Sequence, residues 1–403
     1  MTETIGVITM DRVWNGMIMK TIKTITCHNV YNYGASLQAY ALLKHLLHHG
    51  FHAEIIDYQP VYQYPQPFHY FPEGTRAYKI LQQYPFLRSL FVLRKLLRSF
   101  FSKQKIHGIV KKSFDRFTRE ELRLTPMSYR SNHDLVNHPP IADVFIAGSD
   151  QIWNTKKANG RDPAFYLDFA DKSAKKISYA ASFSTKQIYG NYESFVTEKL
   201  KNFDAVSVRE KTGLRILDQL NIQGGVQVLD PVFLLSKNQW KELIKNTYRE
   251  KYLLVYDIHR TFRTQSIIPE IAKEIAKRKS LQIWSVNAVT KMDDADRTVW
   301  GGPVEFLELI NSAEYVVSDS FHGTAFSTIF NKNFYTVGLP DGFDMESRIV
   351  DFLDSIGLQS RYITNISDID EMSEIDYADV NEKLSIPIEN SKKFLEEALS
   401  MRE

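Results

Sequence analysis

The chain has 403 residues, 43% hydrophobic and 24% charged. That is the composition of a folded protein too long for one growing core, so two domains of roughly 150 to 200 residues are expected. A net charge of +2 gives no general affinity for nucleic acid, and none is expected as a partner; the single cysteine, Cys27, leaves no internal disulfide framework or Cys-rich metal site and fits a reducing cytoplasm.

The first 20 residues lack the apolar core of a signal peptide, and no later run reaches the roughly 18 apolar residues needed to span a bilayer. A cytoplasmic protein is the expectation. Residues 1–18 read as an N-terminal extension, and Met17 or Met19 would serve equally as a start. Lys20 to Thr26 alternates like a strand, "NVYNYGAS" is a Gly-containing loop, and Leu37 to His48 has apolar residues at helical spacing. "HAEIIDY" then supplies a second strand, which makes a βαβ unit and hence a parallel sheet. Residues 59–85, rich in Tyr, Pro and Gln, leave that sheet. "ADVFIAGSDQIWN", "KKISYAASF" and "FDAVSVREKTGLRIL" continue it, and "VQVLDPVFLL" closes this half with Asp230-Pro231 as a breaker.

A second series follows: "KYLLVYDI" as strand, Gln265 to Arg278 as helix, "LQIWSV" as strand, Pro303 to Ser312 as helix, and "EYVVSD" as strand. "GTAFSTIF" reads as a helix, "NFYTVGLP" as a strand and "ESRIVDFLDSIGL" as a helix. The expected fold is α/β: two facing Rossmann-like domains over residues 19–235 and 236–375. A terminal helix within 376–403 would pack across the hinge.

Five stretches could carry chemistry. In "SDSFHGT" a helix starting near Gly323 or Thr324 offers unpaired N–H groups and a positive dipole end to a phosphate or carboxylate. The same dipole would favour a neutral His322 ring able to give or take a proton. The plainer reading has Ser320 capping the helix and His322 in a core polar contact. In "IAGSDQIWN", Asp150, Gln151 and Asn154 suit sugar hydroxyls, and Trp153 offers a flat face to a sugar ring, against a capped turn with a buried Trp. Arg209 in "SVREKTG" could clamp an oxyanion or be a salt-bridged arginine. In "NVYNYGASLQAYAL", Gly34 permits a tight turn while Asn32, Ser36 and Gln38 could face the cleft. Residues 87–112 hold eight Lys or Arg and no acid; their apolar and basic faces suit an anionic membrane surface, or a helix packed on its own domain. The cluster His45, His48 and His49 reads as a solvated face, and no spacing implies a metal. Neither G-x-G-x-x-G nor G-x-x-x-x-G-K-[ST] occurs, which weighs against a nucleotide.

In order along the chain, "NVYNYGASLQAYAL", "DVFIAGSDQIWN", "SVRE", "VLDPVFLL", "SDSFHGT" and "SRIVDFLDSIGL" resemble the polysaccharide pyruvyl transferase family, over about residues 20 to 360. The resemblance implies a fold similar to the two-domain GT-B glycosyltransferases. It also implies transfer of the pyruvyl unit of phosphoenolpyruvate, as a ketal, to a saccharide of a bacterial surface polysaccharide such as exopolysaccharide or capsule. No cofactor beyond this co-substrate is implied. The implied catalytic residues are His322 and Asp150. Donor-binding residues would be Arg209, Ser320, Gly323, Thr324 and Arg348, with the Gly323 and Thr324 amides on the phosphate; acceptor-binding residues would be Asn32, Gly34, Gln38, Trp153 and Asn154. One departure stands out: many members carry an arginine two residues before the histidine, where this chain has Ser320, so Arg348, Arg209 or nearby lysines would have to supply that charge. A lipid-linked acceptor would put the protein peripherally on the inner membrane face through residues 87–112. The alternatives are a GT-B glycosyltransferase using a nucleotide sugar, with Glu305 or Glu308 on the ribose, and a non-catalytic sugar-binding protein.

Overall fold

The structure is a computed structural model that describes residues 13–14, 17–18, 20–63, 104–258, 266–288, 291–338, 347–369 and 373–400. Most of the basic segment 87–112 therefore lies outside the described residues, as does most of the 1–18 extension. Apolar runs form the central strands. Val144–Ala147 and Tyr252–Tyr256 are buried at every position, as strands covered on both faces must be.

The first half runs β1 (Thr21–Ile25), α1 (Tyr33–His48), β2 (His52–Tyr58), α2 (Gln104–Glu121), β3 (Leu124–Tyr129), α3 (Asn132–Asn137), β4 (Val144–Ala147) and β5 (Lys175–Ser178). Its sheet is parallel, in the order β3-β2-β1-β4-β5. After α4 (Glu193–Leu200), a short parallel pair, β6 (Ser207–Val208) and β7 (Val226–Gln227), flanks α5 (Lys211–Gln219). Bridges from Ile177 to Ala205 and from Ala181 to Val208 tie this pair to β5.

The second half follows α6 (Lys237–Lys241). It runs β8 (Tyr252–Tyr256), α7 (Ile268–Lys279), β9 (Gln282–Val286), β10 (Arg297–Val299), α8 (Pro303–Ser312), β11 (Tyr315–Ser318), α9 (Phe321–Ile329), β12 (Asn333–Val337), α10 (Ser347–Ser355) and β13 (Tyr362–Ile363). Its sheet is also parallel, in the order β10-β9-β8-β11-β12-β13. These are two Rossmann-like sheets in a GT-B-like arrangement. In each the order reverses once, between β1 and β4 and between β8 and β11, and such reversals open a crevice at the carboxyl ends of the strands.

The halves meet through aromatic packing. Tyr33, at the start of α1, stacks on Phe306 of α8 with centroids 4.8 Å apart and rings 4° from parallel, and its hydroxyl donates to the Gly301 carbonyl at 3.2 Å. Trp240 fills the space between Tyr40 and Phe326. The last helix, α11 (Tyr377–Ser400), buries Val380, Leu384, Leu395 and Leu399 in the core cluster that both halves share. Lys20 donates to its Leu399 carbonyl, and Ser391 accepts from the Leu229 amide.

Two local readings are corrected. Helix α9 begins at Phe321, two to three residues before the expected start, which puts His322 inside its first turn. His45 is buried rather than solvated: it stacks on His49 with centroids 4.1 Å apart, and burial pushes its ring down to about 3.

Candidate active site

Loops from both sheets converge on one buried carboxylate. Asp230 follows β7 and is 1% exposed. Its Oδ1 accepts from the Val232 amide at 3.1 Å, which caps the 3₁₀ turn that Pro231 opens. Its Oδ2 accepts from Arg209 Nη1 at 2.7 Å and from the Ser149 hydroxyl at 3.2 Å. From the second half, His322 Nε2 stands 3.5 Å from the same oxygen, within ion-pair reach but long for a hydrogen bond. Burial by itself would raise the Asp230 carboxyl, but the facing His322 and Arg209 outweigh it and hold the group well below the usual carboxylate range.

Arg209 is 4% exposed and spends one N–H on Asp230, while its Nε and Nη2 have no hydrogen-bond partner. Its guanidinium lies 5.2 Å above the Phe321 ring. Glu210 Oε2 lies 3.9 Å from Arg209 Nε, and Glu210 Oε1 accepts from the Ser182 hydroxyl and the Ser184 amide. His322 is 8% exposed, and its Nε2 also lacks a hydrogen-bond partner. The Arg209 donors left without hydrogen bonds lie buried beside the N-terminus of α9, an arrangement suited to an anion.

Arg348 stands close by. Burial and the neighbouring Arg209 push it down to about 10 against the pull of Asp150, Glu210 and Asp230, so it stays cationic near neutrality. Lys157 reaches solvent yet is walled by protein: desolvation pushes its ammonium down, Asp150 opposes this, and its Nζ donates to Gln151 Oε1 at 2.6 Å. Backbone strain gathers nearby. Asp150, Ala180 and Ser184 all take positive φ without being glycine, at 76°, 54° and 53°, and such residues collect where function over-determines the backbone.

Residues 32–340 match the family described as polysaccharide pyruvyl transferase. The chain belongs to that family, and it is a transferase. No curated protein matches it. Among solved structures it is similar to a UDP-GlcNAc 2-epimerase from Neisseria meningitidis bound to UDP-GlcNAc, at 11% identity and TM-score 0.49, over 95% of this chain and 100% of that one. A UDP-GlcNAc 2-epimerase from Methanocaldococcus jannaschii gives 12% identity and TM-score 0.48 over 91% and 92% of the two chains.

Several residues implied by the family resemblance lie elsewhere than expected. Trp153 is fully enclosed, stacked on Tyr166, with its indole N–H on the Phe165 carbonyl, so it offers no face to a sugar. Thr324 cannot give its amide to a phosphate: the amide donates to the Ser320 carbonyl, and the hydroxyl is shared between that carbonyl and Thr336. Gly323 is buried, and a Cβ there would lie 2.3 Å from Ser318 Oγ, so its bareness serves helix-to-strand packing rather than ligand approach. Gln38 is fully buried, donating to Thr26 and to the Ala35 carbonyl. Asn154 is 4% exposed and caps a turn through the Lys156 amide, and Asn32 caps α1 through the Ala35 amide. Ser320 stands at the N-cap of α9, but its side chain makes no capping bond.

Gly34 does meet the site. A Cβ there would lie 1.9 Å from His322 Nδ1, so the missing side chain is what lets α1 and α9 close on each other. Sequence reasoning missed Asp230 as a functional residue, and a buried acid ahead of Pro231 was its only signal. Among the described residues no group of three His, Cys, Asp or Glu could hold a metal, and no helix is long and apolar enough to cross a membrane.

The depressed Asp230 and Asp57 carboxyls imply acid lability. At Asp57, burial acts upward, but hydrogen bonds from His28, Ser128 and Gln59 outweigh it. A carboxyl lowered in the folded state stabilises at every pH above its unfolded value, near 4, and that contribution is lost as pH falls through 4 toward the folded value. Denaturant midpoints should therefore fall steadily between about pH 5 and 3; a flat profile there would contradict the buried pairings.

Proposed function

We propose that the protein transfers the pyruvyl group of phosphoenolpyruvate to two hydroxyls of a saccharide, forming a ketal and releasing phosphate. One observation carries the reading: the buried Arg209 nitrogens left open beside the N-terminus of α9, with Arg348 close by, in a chain of this family. Arg209, Arg348 and the first amides of α9 would bind the donor's carboxylate and phosphate. Arg348 thereby supplies the charge that Ser320 lacks. His322 protonates the methylene carbon, and the electron pair of the double bond forms the new C–H bond. The oxocarbenium centre left behind takes one sugar hydroxyl, whose proton passes to Asp150. Loss of phosphate and attack by the second hydroxyl complete the ketal, and that hydroxyl's proton leaves with the phosphate.

The acceptor is proposed to be a lipid-linked precursor of a surface polysaccharide on the inner membrane face, met through the basic stretch at 87–112. No cofactor is part of the proposal. Purified protein would be given phosphoenolpyruvate and lipid-linked oligosaccharides while phosphate is followed, with UDP-sugars as competing donors. Turnover of a UDP-sugar without phosphate release from phosphoenolpyruvate would sink the reading. Arg348→Met should raise the KM for phosphoenolpyruvate by roughly tenfold or more, the worth of one charged hydrogen bond, and abolish the rise in melting temperature that inorganic phosphate gives the wild type. An unchanged KM would remove Arg348 from the donor site.

A further inference from the structure

We infer that Asp230 is the positioning residue for His322: it faces the proton-bearing Nε2 of the ring and leaves Nδ1 as the nitrogen that gives and takes the proton.

The two nitrogens have different surroundings. Nε2 is buried, has no other partner and is turned toward Asp230 Oδ2 at 3.5 Å. Among the described residues Nδ1 has no such carboxylate facing it; the ring face beside it packs on Gly34, where a Cβ would come within 1.9 Å. The partner of one ring nitrogen sets the tautomer and so decides which atom does the work. Asp230 is well placed for that task because it cannot turn: Oδ1 is held by the Val232 amide, and Oδ2 by Arg209 and Ser149. Closing the gap to His322 by a few tenths of an ångström makes a hydrogen bond.

The same oxygen also holds Arg209, 21 residues upstream in the same half of the molecule, whereas His322 comes from the other half. A single carboxylate thus fixes the place of an anion-binding guanidinium relative to a proton-transferring ring, although the two come from different sheets. In the transfer, Nδ1–H gives its proton to the donor's methylene carbon while Nε2–H stays on Asp230, which keeps its charge throughout.

The test uses the full chain. With 15N-labelled histidine, the His322 signal among eleven histidines is assigned by its loss in His322→Gln. Above the ring's titration, the wild type should show the Nε2–H tautomer, and Asp230→Asn should shift the ring toward Nδ1–H. In the same variant kcat should fall on the order of 10⁴-fold, the loss seen when a catalytic histidine is held in the wrong tautomer. A wild-type Nδ1–H ring overturns the inference and needs no folded variant to be seen. So does a folded Asp230→Asn protein with wild-type kcat. The kcat arm rests on the reaction proposed above and the tautomer arm does not, so failure to release phosphate from phosphoenolpyruvate overturns that reaction alone.

Discussion

Gly34→Ala is expected to cost on the order of a hundredfold or more in kcat/KM for phosphate release, the penalty of displacing a catalytic group by about 1 Å. An added Cβ would lie 1.9 Å from His322 Nδ1, 2.3 Å from Cγ and 2.5 Å from Cε1. Non-bonded carbons rest at about 3.5 Å or more, so the ring must move by more than an ångström or the two halves must part. The ring has little freedom, with Phe321 on one side and Asp230 on the other. Gly34 lies in the first turn of α1 with no left-handed φ, where alanine is the better helix former, so the helix itself is not harmed. Turnover and melting temperature measured together separate the outcomes. A variant that melts near the wild type but turns over slowly fits the displaced ring; wild-type turnover would mean that His322 does not work from this position.

Arg209→Ala should destabilise the fold by about 3 to 5 kcal/mol, the usual cost of leaving one member of a buried ion pair uncompensated. The stranded group is Asp230, 1% exposed and, among the described residues, with no other cation at hydrogen-bond distance. The double replacement Arg209→Met with Asp230→Leu removes both charges and should recover much of that loss while remaining inactive, since an apolar pair of similar volume carries no desolvation penalty. Urea midpoints for the single and double variants make the comparison. A single variant as stable as the wild type would show that solvent reaches the carboxylate. A double variant with near wild-type turnover would remove both residues from the reaction.

The core of the site was partly legible. "YVVSDSFHGTAF" announces a buried strand, a polar elbow and a helix, and His322 stands where an α/β sheet presents its ligands. Arg209, at the end of a short strand, was legible as a candidate clamp. Its anchor was not, because "VLDPVFLL" reads locally as a turn, and Asp230 meets partners far away in the chain. Trp153 and Gln38 fail in the opposite sense. An aromatic and an amide in a polar loop look available to a sugar, but availability depends on what packs over them, and Tyr166, Phe183 and Thr26 do so here. Strand β3 and helix α3 escaped notice because the alternation over Leu124–Tyr129 is weak and the helix spans six residues.

By itself the sequence determined the alternation of strands and helices, the division into two α/β halves and the family. Those properties rest on apolar periodicity and on turn residues, which act between near neighbours along the chain. Only the tertiary structure decided that one carboxylate oxygen meets both Arg209 and His322, that Gly34 is bare for the sake of His322, and that Thr324 has no amide to offer. Each depends on groups brought together from distant segments, where burial strengthens a charge pair and leaves an unfilled donor costly.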